Sequence, residues 1–454
     1  MINKNRRSFL KTQLALSGCL AAGLDVISAP ARAADRQGYK ALVCVLLSGG
    51  NDSFNMFVPA SASAHADYAN ARQFLALPRE QLLRVSPVSY SDGITYGFHP
   101  VMTESQRLFA NRELAVIGNV GSLVQPISQE EYINSSSAIP KQLFSHNDQT
   151  DSWLAANADG GARFGWAGRT MDIMYPDNIP SPSPSISTGG HSLWQTARRV
   201  RTYEVGINGA GYRYLPGPSG EIRLSSMFSE MHAAAAQQDN IFAREHALTL
   251  ERDLEYGNRV NEALGFSQDF TTPFTGGLLA AQLNMVARLI DVRSRLDTDL
   301  NRQVFLVRLG GWDTHQNQME GPGNHQDLLQ QLDLALSAFQ SAIQELGTQD
   351  LVTTFTATEF GRSLTPNNSG TDHGWGGHNL VMGGAVQGGD IYGQMPQVSR
   401  DSPDTVENNR VIPTTSVDQY SATLARWFGL NDAELSSVFP NLRNFSTPDM
   451  GFLI

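Results

Sequence analysis

The sequence predicts an α/β fold in which a mostly parallel central sheet is flanked by helices on both faces. Continuous apolar runs, such as residues 39–47 and 304–309, are typical of strands that are buried on both faces of a parallel sheet. Patterns with helical spacing separate these runs, which is the order of βαβ units. Glycine-rich polar segments follow the runs directly, at the place where open α/β sheets bind their ligands.

Length and charge narrow the class of protein. The 454 residues are 41% hydrophobic and 17% charged, so the chain can bury a large core. We expect residues 34–454 to form a single domain with a helical insertion around residues 220–265. The formal charge of the whole chain is −11. Residues 1–33 carry a net charge of +4, so the remaining residues carry −15. Such an acidic body disfavours nucleic acid as a partner.

Residues 1–33 are predicted to be a twin-arginine signal peptide. Arg6 and Arg7 precede an apolar stretch, and small alanines near the end of the segment suit signal peptidase. We therefore expect cleavage near Ala34, the twin-arginine export machinery as a partner, and a periplasmic or secreted mature protein. The alternatives are a cytoplasmic basic tail and lipid anchoring through Cys19, which ends a Leu-Ser-Gly-Cys box. No other run is long enough to span a bilayer.

The first predicted strand, residues 39–47, ends in Ser-Gly-Gly-Asn-Asp. The glycines permit a sharp exit and place Asp52 at the carboxyl end of the strand, as a candidate metal ligand. The alternative is that Asn51 and Asp52 cap a turn. A helix over residues 100–112 and a strand over residues 114–117 continue the βαβ order.

Ser145 begins a helical pattern in the segment Ser-His-Asn-Asp-Gln. The dipole and free amide groups of a helix N-terminus favour an oxyanion, so Ser145 is a candidate nucleophile with His146 beside it. The same serine suits an N-cap, and spacing alone favours the N-cap. Farther along, residues 225–263 have a helical pattern that we interpret as a cap or insertion beside the sheet. Residues 276–295 carry one apolar stripe and are predicted to be a core helix.

The strand at residues 304–309 exits through Gly-Gly-Trp-Asp-Thr-His. Asp313 and His315 are two residues apart, so in an extended segment their side chains share a side and reach one ion. A periodic helix over residues 326–346 and a strand over residues 351–356 come next.

Glu359 closes this last strand. A glycine-rich loop and a second apolar run follow, so residues 353–384 are predicted to form strand, loop and strand. The loop carries the ligand-type residues Asp372, His373 and His378. The alternative is a turn with a capping aspartate and partly buried histidines.

Three predicted strand ends thus converge on carboxylates and imidazoles. Because such ligands suit zinc, manganese or magnesium, we expect one or two divalent metal ions there. The predicted metal ligands are Asp52, Asp313, His315, Glu359, His373 and His378. The sequence has neither a phosphate-binding P-loop nor a dinucleotide glycine fingerprint.

Several motifs together resemble the domain of unknown function 1501 family. They are the twin-arginine leader and the segments L-L-S-G-G-N-D, S-H-N-D-Q, G-G-W-D-T-H, T-E-F-G-R and G-T-D-H-G-W-G-G-H-N. The likeness covers essentially the whole mature chain. This family of exported bacterial proteins is grouped with alkaline phosphatases and sulfatases, so the resemblance implies an alkaline phosphatase-like fold with a metal centre at the strand tips.

The resemblance also implies residue roles. Asp52 matches the metal ligand after the first strand, and Ser145 stands near the nucleophile position. Asp313 and His315 match the aspartate and histidine of one metal site.

Glu359 matches, by the same resemblance, the aspartate of an Asp-His pair on a later strand. His373 or His378 matches the last histidine. Phe360 stands where the superfamily pattern has a histidine, so the resemblance implies one metal, or a site completed by His378 or His146.

These expectations lead to an exported, metal-dependent hydrolase of phosphate or sulfate esters, with a small anionic ester as its substrate. A metal polarises the ester oxygen and lowers the pKa of water or of a serine. Arg362, just beyond Glu359, is a candidate for holding the anionic group; the alternative is a solvated surface charge. The alternative function is a non-catalytic periplasmic binding or assembly protein, since a fold does not determine a function.

Replacement of both Arg6 and Arg7 by lysine tests the export signal. Because the arginine pair heads an otherwise ordinary leader, we predict that the variant precursor stays in the cytoplasm. Cell fractionation and immunoblotting measure the ratio of precursor to mature protein. Periplasmic delivery at the wild-type level would contradict the signal assignment.

Overall fold

A nine-stranded sheet lies at the centre of the computed structural model, which describes residues 38–177, 184–210, 230, 233–235, 237, 240–296 and 300–454. The strands in these ranges are β1 (Lys40–Ser48), β2 (Phe57–Pro59), β3 (Leu83–Val85), β4 (Tyr96–Phe98), β5 (Leu114–Gly121), β6 (Ser185–Ser187), β7 (Thr202–Glu204), β8 (Arg302–Gly310), β9 (Val352–Thr358), β10 (Arg362–Pro366), β11 (Thr371–His373), β12 (Gly377–Met382), β13 (Ile391–Tyr392), β14 (Thr405–Val406), β15 (Arg410–Val411) and β16 (Thr415–Ser416). The sheet order is β13-β5-β12-β9-β1-β8-β6-β7, with β16 also paired to β5. The predicted signal peptide, residues 1–33, lies outside the described residues.

Helices cover both faces of this sheet, as predicted. Those in the described ranges are α1 (Ser53–Met56), α2 (Ala62–Arg72), α3 (Thr103–Ala110), α4 (Gln129–Ile133), α5 (His146–Ala155), α6 (Trp166–Ile173), α7 (Ile241–Leu264), α8 (Leu278–Asp291), α9 (Arg293–Leu296), α10 (His325–Glu345), α11 (Val417–Phe428) and α12 (Asp432–Val438). Successive side chains of a strand point to opposite faces. Val43 and Val45 of β1 therefore join the core formed with α8 and α10, whereas Cys44 and Leu46 join the core formed with α6 and α11.

The central strand β1 aligns the strand ends. It pairs in parallel with β8 on one side and with β9 on the other. Ser48 lies opposite Gly310, and Leu47 lies opposite Thr358. Because the three strands run in one direction and end in step, their exits emerge together at one edge of the sheet.

The segment between β9 and β12 differs from the predicted loop. β10 and β11 form an antiparallel hairpin there, and β12 lies antiparallel to both β5 and β9. Asp372 and His373 thus lie in β11, and His378 lies in β12. The glycines that suggested a loop permit close backbone packing instead: a Cβ on Gly361 would lie 1.9 Å from the carbonyl oxygen of Gly376.

The helical insertion is described in part. α7 begins after Asn240, whose side chain accepts hydrogen bonds from the first amides of the helix. Val260 and Ala263 of α7 belong to the same core as α8. Most of residues 211–239, where the sequence predicted the beginning of this helix, lie outside the described residues. None of the helices in the described ranges combines the length and the apolar character that a bilayer crossing needs.

Candidate metal centre

Four side chains at the strand tips form a group that we call the histidine cluster: His146, Asp313, His315 and His373. Ligand atoms of His146, Asp313 and His373 all lie within 4.8 Å of one another. The Nε2 atoms of His146 and His373 are each 3.4 Å from a carboxylate oxygen of Asp313. His315 Nε2 lies 3.2 Å from Asp313 Oδ1 and 2.8 Å from His373 Nε2. Three imidazoles therefore turn the same ring atom toward one carboxylate.

Each imidazole of the histidine cluster is held through its other ring nitrogen, Nδ1. The partners are Glu359 for His146, the Asp372 carboxylate for His315 at 3.4 Å, and the carbonyl oxygen of Phe144 for His373 at 2.7 Å. Such contacts fix the ring orientation and leave Nε2 to face a ligand. Glu359 is in turn held by the backbone N–H of Gly49, which donates to its Oε1 at 2.9 Å.

Arg362 supports Asp313 from the protein interior. Its Nη1 donates to Asp313 Oδ1 at 2.7 Å and to the carbonyl oxygen of Gly49 at 3.3 Å, and its other donors bond Thr371. Burial alone would raise the pKa of Asp313, but the hydrogen bond and charge of Arg362 hold that pKa below its ordinary value. The interpretation of Arg362 as a solvated surface charge is wrong, because its side chain is fully buried. Its donors face protein atoms.

The donor set of the histidine cluster fits a divalent cation. Bonds of about 2.0–2.1 Å in a tetrahedral site place ligand atoms roughly 3.3 Å apart, and the contacts between neighbouring donors here measure 2.8–3.4 Å. Burial lowers the pKa of His373 against the opposing effect of the Phe144 carbonyl, so the ring is neutral, as metal binding requires. Asp313 stays anionic.

Asp52 lies outside this cluster. Its side chain is fully buried, and Oδ2 accepts hydrogen bonds from Arg72 of α2 and from Nε2 of Gln318. The other oxygen, Oδ1, is buried and has no hydrogen-bond partner in the described part of the chain. The guanidinium of Arg72 thus occupies the place beside Asp52 that the sequence assigned to a metal.

His378 also lies outside the cluster, because β12 directs it into the core. Its Nδ1 accepts a hydrogen bond from the backbone N–H of Asn119 at 3.1 Å, and its ring packs edge-on against Phe54 at 5.2 Å. Its Nε2 is buried without a hydrogen-bond partner among the described residues. Burial lowers the pKa of His378 to about 3, so the ring is neutral at physiological pH.

Ser145 is the N-cap residue of α5 by position. Its hydroxyl donates to Asp148 at 2.8 Å and makes no capping hydrogen bond with the helix amides. Across the described ranges, no hydrogen bond joins this hydroxyl to the histidine cluster. The next residue, His146, reaches the cluster instead. His146 was predicted only as one of two residues that could complete the site. The sequence signal for it is the histidine of the S-H-N-D-Q segment.

Phe360, at the position where a histidine was expected, packs beneath the cluster. Its ring centroid lies 4.6 Å from that of His373 and 5.0 Å from that of His146. The ring also lies against Gly50, where an added Cβ would approach it to 2.3 Å. A side chain that cannot bind metal therefore supports two that can.

Sheet and cluster together define an α/β protein with a candidate divalent metal site at its strand tips. A family model described as a protein of unknown function, DUF1501, matches residues 39–439. The chain belongs to this family, which confirms the resemblance found in the motifs. A comparison with curated proteins finds no match.

Solved structures of several hydrolases and transferases show a distant likeness. The soluble domain of lipooligosaccharide phosphoethanolamine transferase A from Neisseria meningitidis is 10% identical, with 88% of this chain and 89% of that chain covered and a TM-score of 0.32. A phosphonate monoester hydrolase from Silicibacter pomeroyi is 7% identical, with 86% and 73% covered and a TM-score of 0.34. An alkaline phosphatase is 13% identical, with 72% and 63% covered and a TM-score of 0.30. These values are too low for a shared activity to follow.

Two substitutions distinguish a metal ligand from the residue that holds a ligand. We predict that wild type purified without chelators contains about one equivalent of divalent metal, and that Asp313→Ala contains less than roughly a tenth, since tight sites lose the ion with a ligand. Glu359 holds the ring of His146, so Glu359→Gln is expected to weaken zinc binding by about 10–100-fold. Elemental analysis and zinc titration measure both effects. The exposed Asp269→Ala is the matched control. Wild type with under a tenth of an equivalent would overturn the metal assignment.

Acid should destabilise the fold through its buried histidines. Burial lowers the pKa of His378 from 6.5 to about 3. Between pH 6.5 and pH 3, His378 is therefore protonated in the unfolded chain and neutral in the folded chain. Stability is full above pH 6.5 and falls as the pH drops, by about 1.4 kcal/mol per pH unit for each such histidine. His378→Asn keeps an acceptor for the Asn119 amide but cannot titrate. Its free energy of unfolding, measured by denaturant titration from pH 7 to pH 4, should depend less steeply on pH; an unchanged slope would contradict the assignment.

Proposed function

We propose that the protein is an exported, metal-dependent hydrolase of small phosphate or sulfate esters. The observation that carries the proposal is the convergence of three imidazole Nε2 atoms on Asp313, in a cluster that is open to solvent. Side chains of His146, His315 and Asp313 are 37%, 39% and 42% exposed. Structural metal sites are closed by four protein ligands, whereas catalytic sites keep a position for water or substrate. Ligand atoms of three side chains, His146, Asp313 and His373, all lie within 4.8 Å of one another, so a cation bound by these three keeps a fourth position.

The family motifs support this class of reaction, because they resemble a family that is grouped with alkaline phosphatases and sulfatases. A divalent cation in such a site supplies Lewis-acid chemistry, which polarises an ester oxygen and favours attack by water. The residues supply the arrangement: Asp313, His146 and His373 bind the cation, Glu359 holds the His146 ring, and Arg362 positions Asp313.

The nucleophile in this proposal is water from the open side of the cluster. Ser145 remains a candidate by its position in the sequence, and its hydroxyl lies within hydrogen-bonding distance of the carboxylate of Asp148. That carboxylate is exposed and draws the hydroxyl toward solvent. No hydrogen bond in the described ranges joins the Ser145 hydroxyl to Asp313 or to the three imidazoles.

A non-catalytic binding or assembly protein is the second candidate. Two observations favour it. Phe360 stands where the superfamily pattern has a metal-binding histidine, and the carboxylate of Asp52 forms an ion pair with Arg72. Such a protein would retain the cation without turnover. The two functions therefore separate in an activity assay on metal-loaded protein.

Turnover of 4-nitrophenyl phosphate and 4-nitrophenyl sulfate by the zinc-, manganese- or magnesium-loaded protein tests the proposal. We predict turnover by wild type, its loss in His373→Ala, and a change of no more than a few-fold in Ser145→Ala, because the serine hydroxyl is not bonded to the cluster. Loss of the hydrogen bond to Asp148 should cost Ser145→Ala about 1 kcal/mol of stability.

Ser145→Asp, which removes the hydroxyl and offers a carboxylate to the helix amides, serves as the second variant without the serine nucleophile. Complete loss of activity in both Ser145 variants, with metal retained, would make the serine the nucleophile. No turnover by any metal-loaded form of wild type would favour the binding protein.

A further inference from the structure

A hairpin at the rim of the histidine cluster carries an arginine that the mechanism has not used. β14 and β15 pair antiparallel, with Val406 opposite Arg410. The turn between them holds two consecutive non-glycine residues with left-handed φ values, Asn408 at 59° and Asn409 at 51°. Asn408 Nδ2 donates to Asp372, the partner of His315, at 3.0 Å. Left-handed asparagines persist where surrounding contacts determine them, as these do.

Arg410 is held beside His373 by two contacts, one to His373 itself and one to Phe144. Its Nε donates to the backbone carbonyl oxygen of His373 at 2.7 Å. Its guanidinium carbon lies 4.0 Å from the ring centroid of Phe144, in a cation–π contact. The carbonyl oxygen of the same Phe144 holds His373 Nδ1. The guanidinium is thus placed beside the metal ligand and cannot swing freely into solvent.

The outer part of this guanidinium has no hydrogen-bond or ion-pair partner among the described residues. In the described part of the chain, the Nη nitrogens of Arg410 make no hydrogen bond or ion pair, and neither is a buried unsatisfied atom. The residue is partly exposed. Arg362 is the opposite case, because its donors are bonded to protein and its side chain is fully buried. Arg362 contacts Asp313 and Arg410 contacts His373, and within the described ranges Arg410 is the one of this pair whose outer nitrogens can meet a ligand.

An anionic substrate needs such a group. The chain is strongly acidic, and the carboxylates of Asp313, Glu359 and Asp372 surround the imidazoles. Arg362 offsets Asp313 from the interior, where substrate cannot reach it. A planar guanidinium with two free nitrogens presents a fork that matches two oxygens of a phosphate or sulfate group.

We propose that Arg410 binds the non-bridging oxygens of a phosphate or sulfate ester beside the histidine cluster, with Nε on His373 and the Nη nitrogens on the substrate. This inference rests on the proposed function and names the residue that selects an anionic substrate. The sequence suggested Arg362 as the residue that holds the anionic group; the proposal assigns this role to Arg410, which no motif of the sequence indicated.

Orthophosphate and sulfate binding to the zinc-loaded protein tests the inference. Calorimetric titration compares wild type, Arg410→Gln, Arg410→Lys and the exposed Arg400→Gln as the matched control. We expect Arg410→Gln to bind the anion roughly 10–100-fold more weakly, since hydrogen bonds to charged groups are lost. Arg410→Lys should fall between, because lysine keeps the charge without the fork. Arg400→Gln should match wild type. A larger loss with one anion identifies the preferred group.

Zinc content and zinc affinity are measured on the same samples, because Arg410 also touches His373. Anion affinity of zinc-loaded Arg410→Gln equal to that of wild type would overturn the inference while leaving the hydrolase proposal intact. A variant that loses zinc affinity but keeps anion affinity in its loaded fraction would show a positioning role only, and would also overturn it. Wild type that binds zinc but neither anion would overturn both proposals.

Discussion

The guanidinium of Arg362 joins the segments on which the candidate site depends. It donates to the carbonyl oxygen of Gly49 after β1, to Asp313 after β8, and to Thr371 in β11. A buried guanidinium needs both a counter-charge and bonded donors, because an uncompensated buried charge strongly destabilises a fold. Asp313 supplies the counter-charge and the oxygen atoms supply the bonds. The position of Asp313, the central carboxylate of the histidine cluster, is therefore set by the packing beneath it and not by the loop that carries it.

A second buried ion pair, Asp52 with Arg72, lies behind the first. Gln318 connects the two: its Nε2 donates to Asp52, and its Oε1 accepts from the hydroxyl of Thr371, to which Arg362 also donates. Two guanidinium charges thus belong to one internal network. A second cation at Asp52 would face the positive charge of Arg72, so the arrangement favours a single ion in the histidine cluster.

Phe360 stands where the resemblance in the sequence implied a histidine, and the structure shows what the phenylalanine ring does there. A histidine there would bring a further ligand, but the phenylalanine ring fills the space against Gly50 and packs on His146 and His373. Aromatic contacts of this kind restrict ring rotation in neighbours. The Phe360 ring therefore holds two of the three imidazoles of the histidine cluster in place. Exposure is confined to the outer side of the cluster, where Asp313 and its imidazoles meet solvent.

The sequence alone determined the main strands that lead into the site, because apolar periodicity is local. It predicted strands over residues 304–309 and 351–356, which the structure places at residues 302–310 and 352–358, with Asp313 after the first of them. The hairpin of β10 and β11 was predicted as a loop. Only the tertiary structure decided which side chains meet. His378 faces the core because β12 runs antiparallel within the sheet, and Arg410 reaches the cluster from a hairpin far along the chain. The direction of a side chain depends on strand register and on partners distant in sequence, which no local pattern records.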